Sequence, residues 1–367
     1  MEEIMKKNNN LTGASILVPS VQELAKQKLS SVPARYIQPQ QDEEDLVISQ
    51  GDGALEIPVI DFQRLLSTEY GDSELAKLHL ASKHWGFFQL VNHGVSTSLL
   101  DKVKLGLQDF FNLPMSEKKK FWQTPEHIEG FGQAFVHSED QKLDWADIFY
   151  MLTQPKHLRI PHLFPQLPFP FRETMELYSQ ELKNLAIVII SQMAKALKIE
   201  EVEMRELFDD GIQMMRMNYY PPCPEPEKVV GISSHSDPVA VTILLQASDV
   251  EGLQIRKDGI LVPVKPLPNA FIINIGDILE IITNGIYQSI EHRATVNNEK
   301  ERLSIATFYS PNENAIIGPA QSLITEQTPP RYKSVGVIEY FEGFFARKLI
   351  GKSYRDVMKI ENNNHHD

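Results

Sequence analysis

A His-x-Asp pair, His235 and Asp237, stands directly ahead of an apolar, β-branched run in the second half of the chain. Side chains two residues apart leave a β-strand on the same face, so the imidazole and the carboxylate are expected side by side. They supply two of the three ligands of the two-His-one-carboxylate site that suits non-haem Fe(II) and leaves coordination positions open. A pair this short also arises by chance, as His365 and Asp367 show in the Asn-rich tail.

Further polar residues in the same half of the chain could complete such a site. His292 offers a second imidazole, and Arg302 with Ser304 forms another i, i+2 pair whose side chains share a strand face. A guanidinium fork beside a hydroxyl suits the end-on binding of a carboxylate. Asn218 and Tyr220 form a third such pair. Each residue alone is more often structural, but together they predict a metal ion beside a site for a chelating keto acid.

The elements that must position these residues are short strands in the second half of the chain. After Asp210 the sequence changes to β-rich segments separated by Pro, Gly and Asn turns, which are typical of a sandwich or a jelly roll. The expected strands there cover residues 214–220, 241–246, 253–256, 260–264, 270–275 and 302–310. In the first half, apolar periodicity predicts strands at 56–61 and 87–91 and helices at 75–85, 98–111 and 172–197.

Composition and charge argue against several classes of protein. The 367 residues are 42% hydrophobic and carry a net charge of −13 without a long block of Lys and Arg, so we expect no nucleic-acid partner. No apolar run approaches the roughly 18 residues that span a bilayer, and the first residues do not form a signal peptide. Cys223 is the single cysteine, which fits a reducing compartment. We expect a cytoplasmic monomer that does not bind membranes.

Several longer motifs follow one another along the chain. They are Ile57-Pro-Val-Ile-Asp61, Trp85-Gly-Phe-Phe-Gln-Leu-Val-Asn-His-Gly94, Met217-Asn-Tyr-Tyr-Pro-Pro-Cys-Pro224, His235-Ser-Asp237, Gly276-Asp277, His292 and Arg302-Leu-Ser304. In these motifs the chain resembles the plant-type Fe(II)- and 2-oxoglutarate-dependent dioxygenases, a family that includes anthocyanidin synthase and flavonol synthase. Residues 143–147 and 264–269 look most like the branch that contains the thebaine and codeine O-demethylases.

This resemblance implies an iron site, a cosubstrate site and a substrate pocket. The implied ligands of Fe(II) are His235, Asp237 and His292, and the implied 2-oxoglutarate residues are Arg302, Ser304, Tyr220 and Asn218. The family also implies O2 as cosubstrate, ascorbate as reductant and a small-molecule substrate. Beyond the iron ligands, no catalytic residue is expected.

The segment after Asp237 departs from the family pattern. This chain carries Pro238 and Val239 where relatives often place small residues, and the segment borders the iron in the family. We therefore expect Pro238, Val239 and Phe308 to shape the substrate pocket. Phe341, Phe344 and Phe345 are expected to belong to the core.

The resemblance implies an α+β fold, a double-stranded β-helix (jelly-roll) core buttressed by helices. We expect an N-terminal arm and linker at 1–55, including a solvated acidic run at 42–45, and an N-terminal helical and strand domain at 56–165. A long connecting helix follows at 166–210 and the Fe(II)/2-oxoglutarate jelly roll at 211–314. A C-terminal helical segment and tail complete the chain at 315–367.

The expected function is oxidation of a mid-sized plant specialised metabolite, such as a methoxylated alkaloid or phenolic, by hydroxylation or O-demethylation. Flavonoid or gibberellin-type oxidation by the same chemistry is the alternative. A zinc hydrolase with the same three ligands is a more distant possibility, since it would have no use for Arg302 and Ser304. A non-catalytic jelly-roll binding module and an oxidase that dispenses with 2-oxoglutarate also remain open.

Overall fold

The structure, a computed structural model, describes residues 15–27, 29–39, 55–125, 127–346 and 353–360. The expected acidic linker at 42–45 and the His-His-Asp tail lie outside the described residues. Among the described helices, none is long and apolar enough to cross a membrane.

Two sheets form the centre of the protein. Their strands, in chain order, are β1 (Val59–Asp61), β2 (Phe87–Val91), β3 (Gly130–Gly132), β4 (Asp147–Gln154), β5 (Ile212–Tyr220), β6 (Ile232–His235), β7 (Val241–Gln246), β8 (Leu253–Lys257), β9 (Ile260–Pro263), β10 (Phe271–Ile275), β11 (His292–Ala294) and β12 (Arg302–Ser310). The major sheet has the order β1-β2-β10-β7-β12-β5-β4-β3, and the minor sheet has the order β6-β11-β8-β9. Strands β13 (Ile316–Ile317) and β14 (Val335–Gly336) form a separate pair.

Helices cover the sheets and connect them. They are α1 (Val21–Ala25), α2 (Phe62–Leu65), α3 (Gly71–His84), α4 (Thr97–Asn112), α5 (Met115–Lys118), α6 (Phe169–Leu197), α7 (Glu201–Phe208), α8 (Asp277–Ile282), α9 (Val337–Phe345) and α10 (Ser353–Met358). Apart from β1 and β2, the strand pairs of the two sheets are antiparallel. The α+β jelly roll buttressed by helices is confirmed.

The two sheets pack face to face through apolar side chains. Phe87 and Ile272 of the major sheet share a buried cluster with Leu253, Ile255 and Val262 of the minor sheet. Strands from both halves of the chain belong to the major sheet, since β2 pairs with β10 and β4 pairs with β5. The space left between the sheets beside this cluster is where the polar residues of the sequence analysis meet.

The long helix α6 supports the major sheet. Its apolar residues from Tyr178 to Met193 are buried along one stripe, because residues at helical spacing lie on one face of a helix. The helix ends at Lys198, which adopts a left-handed conformation with φ of 57°. Helix α6 packs against β4, β7 and β12 of the major sheet and so supports the strands that carry polar residues of the site.

Two elements lack a clear signal in the sequence. Strand β4 is buried along its whole length and therefore shows no alternation of apolar and polar residues. Gly276 and Asp277 stand between β-rich segments where a turn is expected from the sequence, but Asp277 begins the buried helix α8. Helix α8 matters for the site, because it follows directly from strand β10 and packs beside the loop that carries Asp237.

The N-terminal arm, residues 15–39, packs against the body of the protein. Its apolar side chains form a buried cluster with residues from two later segments, the one between β3 and β4 and the one between β5 and β6; the members are Val18, Val21, Val32, Tyr36, Val136, Leu143, Trp145, Cys223 and Val229. The buried carboxylate of Asp147 accepts hydrogen bonds from the Ser20 hydroxyl and from the backbone N–H groups of Val21 and Gln22. Asp147 therefore binds the first turn of α1 to strand β4.

We predict that Asp147→Asn lowers the free energy of unfolding by about 1–3 kcal/mol, because an amide presents N–H donors to groups that are themselves donors. Urea denaturation followed by circular dichroism would measure the change. The exposed Asp140→Asn is the control and should stay within about 0.5 kcal/mol of the wild type. Equal stability of the two variants would show that Asp147 does not hold the arm.

Candidate active site

His235, Asp237 and His292 meet between the two sheets. His292 on β11 lies opposite His235 on β6 in the antiparallel ladder. The Nε2 atoms of His235 and His292 lie 3.5 Å and 3.7 Å from the same oxygen, Oδ1 of Asp237. One ligand atom from each residue lies within 4.8 Å of the others, which is the arrangement that a single metal ion requires.

The structure brings His235 and Asp237 together by a route that differs from the expectation. His235 is the last residue of β6, and Asp237 lies beyond the strand, so the two side chains do not share a strand face. The loop is held by the start of α8 instead. The backbone N–H of Asp277 donates to the carbonyl of Asp237 at 2.8 Å, and the Ser236 hydroxyl donates to the Asp277 carboxylate at 3.0 Å.

Both imidazoles are oriented for metal binding. The Nδ1 of His235 lies 2.8 Å from the carbonyl oxygen of Ser233, and the Nδ1 of His292 lies 3.2 Å from that of Ile290. A carbonyl oxygen only accepts, so each Nδ1 carries the proton and each Nε2 keeps a free lone pair. Burial lowers the pKa of His292 to about 4, which keeps this imidazole neutral at physiological pH.

The two carboxylate oxygens of Asp237 have different neighbours: Oδ1 faces the two imidazoles, and Oδ2 faces the major sheet. Its Oδ2 accepts hydrogen bonds from the Thr242 hydroxyl at 2.6 Å and from the Asn274 amide at 2.8 Å. Burial raises the pKa of Asp237, but the two imidazoles and the Thr242 hydroxyl outweigh it and hold the pKa well below its usual range. A carboxylate with two imidazoles is the donor set that fits Fe(II).

Arg302 and Ser304 lie on β12, opposite Tyr220 and Asn218 of β5. The Asn218 amide donates to the Ser304 hydroxyl at 3.2 Å, and the guanidinium of Arg302 lies 5.0 Å from the centre of the Tyr220 ring. The expected cosubstrate residues are therefore neighbours in one ladder.

Arg302 is a buried charge that lacks a counterion. It is 2% exposed, its Nε has no hydrogen-bond partner among the described residues, and its Nη2 donates to Gln246 Oε1 at the long distance of 3.4 Å. Within the described part of the chain, no carboxylate lies at ion-pair distance from this guanidinium. Because an unpaired buried charge is costly, the site is suited to a ligand that brings an anionic group.

A cavity with an empty volume of about 510 Å³ connects the three candidate metal ligands with Arg302 and Ser304. Asn218 and Tyr220 line its wall. A dicarboxylate that reaches from the metal ligands to the guanidinium matches the chemistry of the two ends of this cavity, as 2-oxoglutarate does.

A second, larger cavity meets the first at His235 and Asp237, and Pro238, Val239 and Phe308 are among its lining residues. The other aromatic lining residues are Phe135, Tyr150, Phe341, Phe344 and Phe345. Phe341 and Phe344 are buried, as predicted for core residues, but both also face this cavity. The amphipathic helix α9 thus contributes to the core and to the pocket with one face.

The sequence analysis missed Arg216 and Asp144, two charged residues that line the larger cavity. Arg216 lies two residues before Asn218 on β5, so one further step along the i, i+2 pattern would have found it. Asp144 accepts hydrogen bonds from the backbone N–H and the hydroxyl of Ser233, near the start of β6. Burial raises the pKa of this Asp144 carboxyl.

A jelly roll with two histidines and an aspartate at its centre and a buried arginine beyond them defines the class of Fe(II)- and 2-oxoglutarate-dependent oxygenases. Comparison with known families agrees. Residues 211–311 match the 2OG-Fe(II) oxygenase superfamily, and residues 57–167 match the N-terminal region described as non-haem dioxygenase in morphine synthesis. The chain belongs to the plant Fe(II)- and 2-oxoglutarate-dependent dioxygenases and is an oxidoreductase that uses Fe(II) and 2-oxoglutarate.

Individual relatives align with nearly the whole length of this chain. An oxoglutarate-dependent flavonoid 7-O-demethylase of Ocimum basilicum is 55% identical over 95% of this chain and 93% of its own length. Thebaine 6-O-demethylase of Papaver somniferum is 53% identical over 98% of this chain and 99% of its own. The crystal structure of JOX2 in complex with 2OG, Fe and JA has a TM-score of 0.84 at 37% identity, covering 94% of this chain and 98% of that one. The predicted likeness to the O-demethylase branch is confirmed.

We predict that His292→Ala abolishes binding of a divalent metal ion, because two ligands remain of the three that the site requires. Loss of a group that only orients a ligand costs roughly 10- to 100-fold in affinity, so loss of a ligand should cost more. Calorimetric titration with Mn(II) as a stable substitute for Fe(II) would measure it. His84→Ala, at an exposed histidine, is the control. Unchanged Mn(II) affinity in His292→Ala would remove His292 from the site.

We also predict that Arg302→Leu weakens 2-oxoglutarate binding by about 10- to 100-fold, because charge-assisted hydrogen bonds to a carboxylate are lost. Arg302→Lys should be intermediate, since a point charge replaces the fork. Without cosubstrate, Arg302→Leu should not destabilise the protein, because it removes an unpaired buried charge. Calorimetry and thermal unfolding would measure both effects. A large loss of stability with unchanged cosubstrate affinity would make Arg302 a structural residue.

Proposed function

We propose that this protein oxidises a mid-sized, largely apolar plant metabolite that carries O-methyl groups, by hydroxylation or O-demethylation. One observation carries the proposal: the two cavities meet at the candidate metal ligands. His235, Asp237, Ile232, Arg216 and Phe308 line both cavities. A ligand in the larger cavity would therefore lie next to the place where the cosubstrate reacts.

In this proposal each group of residues has its own role. His235, Asp237 and His292 hold Fe(II). Arg302 and Ser304 hold the far carboxylate of 2-oxoglutarate. Tyr220 and Asn218 complete the wall around it, and Pro238, Val239 and Phe308 border the substrate. Since one chain supplies both cavities and the metal ligands, we propose that the enzyme acts as a monomer.

When bound, Fe(II), 2-oxoglutarate and O2 would supply the oxidising chemistry: 2-oxoglutarate loses CO2 and takes up one atom of O2 to become succinate, and the other oxygen atom enters a substrate C–H bond. The residues of the chain decide which bond reacts. Phe308 and the residues after Asp237 limit how closely each substrate carbon approaches the metal ligands. The aromatic walls of the larger cavity exclude water from that region. The cofactor chemistry is general, so the geometry of the cavity sets the product.

The lining of the larger cavity indicates the substrate class. Its empty volume is about 1150 Å³ including its open mouth, and its walls are mainly aromatic and aliphatic. Arg216 and Lys142 add positive groups and Asp144 and Asp237 add negative ones, so the formal charges of the lining balance and the cavity offers hydrogen bonds. These properties suit a neutral or amphoteric polycyclic compound with several oxygen substituents. The flavonoid 7-O-demethylase and thebaine 6-O-demethylase among the relatives are named for such substrates.

Purified protein with Fe(II), ascorbate and 2-oxoglutarate would test the proposal against methoxylated alkaloids and methoxylated flavones. Hydroxylation of an O-methyl carbon gives a hemiacetal that collapses to a free hydroxyl and formaldehyde. The proposal expects coupled turnover with at least one of these compounds, and O-demethylation would give formaldehyde and succinate in equal amounts. Succinate with a ring-hydroxylated product and no formaldehyde would indicate hydroxylation instead. Coupled turnover with neither group would contradict the proposed substrate class.

We predict that Pro238→Ala combined with Val239→Thr changes which methoxylated compounds are accepted, because Pro238 fixes the backbone beside Asp237 and Val239 is β-branched and buried. Turnover of 2-oxoglutarate without substrate should persist, since the metal ligands and Arg302 are unchanged. Competition between an alkaloid and a flavone in one reaction would measure the change in preference. Val202→Thr, on the exposed face of α7, is the control. An unaltered preference would place the segment outside the substrate pocket.

A further inference from the structure

The segment between β3 and β4 forms one wall of the larger cavity. We call residues 133–143 the rim loop. Its residues that line the cavity are Gln133, Ala134, Phe135, Val136, Gln141, Lys142 and Leu143. Because this wall is a loop and not a strand, its shape depends on side-chain contacts from outside the sheet.

Phe135 holds an unfavourable backbone conformation in the rim loop. Its φ is +64°, in the left-handed region, where a bulky side chain is strained. Its ring stacks on Phe345 of α9, with centroids 5.7 Å apart and an angle of 9° between the planes. Such a conformation persists only where surrounding contacts fix it, and it is common at ligand-binding sites.

The side chain of Gln141 supplies that support from within the loop. Its Nε2 donates to the carbonyl oxygen of Phe135 at 2.7 Å. Its Oε1 accepts from the backbone N–H of His137 at 2.8 Å. One amide group therefore fixes the backbone on the C-terminal side of Phe135, so the direction of the phenylalanine ring depends on where Gln141 lies.

The N-terminal arm in turn fixes Gln141. The guanidinium of Arg35 donates from Nε to the carbonyl of Gln141 at 3.2 Å and from Nη2 to that of Ser138 at 3.1 Å. The carbonyl of Arg35 accepts from the backbone N–H of Leu143 at 3.0 Å. Its Nη1 also donates to the carboxylate of the exposed Glu139 at 3.3 Å. Arg35 therefore contacts the rim loop at four points, and two of them are carbonyls that only a donor can satisfy.

Apolar contacts connect the same two segments. Val136 and Leu143 line the larger cavity and also belong to the buried cluster of the arm, together with Val18, Val21 and Tyr36. The backbone N–H of Ile16 donates to the carbonyl of Val136 at 2.7 Å. The arm thus packs directly behind the wall that a substrate would touch.

We propose that the N-terminal arm takes part in substrate selection: Arg35 positions Gln141, and Gln141 holds Phe135 against Phe345 at the edge of the larger cavity. This inference rests on the proposed function in one respect, the placement of the substrate in that cavity. Arg35 and Gln141 are positioning residues in this account, and Phe135 is the residue that contacts the substrate. Arg35, Gln141 and Phe135 do not line the smaller cavity, so we expect the binding of Fe(II) and 2-oxoglutarate to be independent of them.

The first experiment examines the loop without any substrate. Amide hydrogen exchange would be measured on full-length protein with Fe(II) and 2-oxoglutarate under nitrogen. Arg35→Ala and Gln141→Ala should each accelerate exchange in residues 135–143 by about tenfold or more, as expected for the loss of one or two hydrogen bonds. Lys26→Ala is the control, because Lys26 lies on the same arm and pairs with Glu23 at the surface. Unchanged exchange in both test variants would overturn the positioning role.

The second experiment uses the methoxylated compounds that the wild type accepts. Arg35→Ala and Gln141→Ala should raise KM for the compound and lower the product formed per succinate, each by about three- to tenfold, while KM for 2-oxoglutarate stays unchanged. Arg35→Lys should recover part of the loss, since it keeps a donor. Faster exchange with an unaltered KM and product ratio would overturn the role in substrate selection. If the wild type accepts none of the compounds, the proposed function fails, and the exchange experiment still decides the positioning role.

Discussion

The carboxylate of Asp237 is the interaction on which the arrangement of the site depends. Its Oδ2 accepts from Thr242 and Asn274, which lie on neighbouring strands of the major sheet. Its Oδ1 faces the imidazoles of His235 and His292, which lie on neighbouring strands of the minor sheet. A single buried side chain therefore joins the polar faces of both sheets. Without it, two imidazoles would face each other with no negative charge between them.

Charge is arranged along the interior in a consistent order. The anionic Asp237 lies at the metal ligands, and the cationic Arg302 lies at the far end of the smaller cavity. Buried charges are costly when unpaired, so a fold that keeps both has a use for ligands that complement them. A divalent cation at one end and a carboxylate at the other satisfy both groups. The packing of α6 behind the major sheet keeps the distance between them fixed.

The longer strands were predictable because their signals are local. Arg302 lies at the start of β12, an expected strand whose β-branched composition is visible in the sequence. The short strands β6 and β11, which carry His235 and His292, were not expected, and these two histidines were singled out by motif alone. The position of Asp237 beyond its strand was not predictable, because it depends on hydrogen bonds from Asp277, a residue of a distant helix. The long helix α6 was predicted over residues 172–197, since helical periodicity of apolar residues needs no knowledge of the surface they pack against.

The larger cavity was harder to predict than the metal site. Phe344 packs in the core and lines the cavity at once, and a pattern of apolar residues cannot separate these two surroundings. The packing of the N-terminal arm against the rest of the protein was also not predicted, because its buried residues are few and widely spaced among polar ones. Its attachment depends on Asp147 and on Trp145 more than 100 residues away. Such contacts between distant segments have no local signature in a single sequence.

The central claim is that the three metal ligands and Arg302 hold the two ends of one ligand. Calorimetric titration of 2-oxoglutarate into the full-length protein, with and without Mn(II), tests this claim most directly. The account predicts that Mn(II) raises the affinity for 2-oxoglutarate by at least about tenfold, and that 2-oxoglutarate raises the affinity for Mn(II) by the same factor, because the coupling between two binding sites is reciprocal. Equal 2-oxoglutarate affinities with and without the metal ion would contradict it.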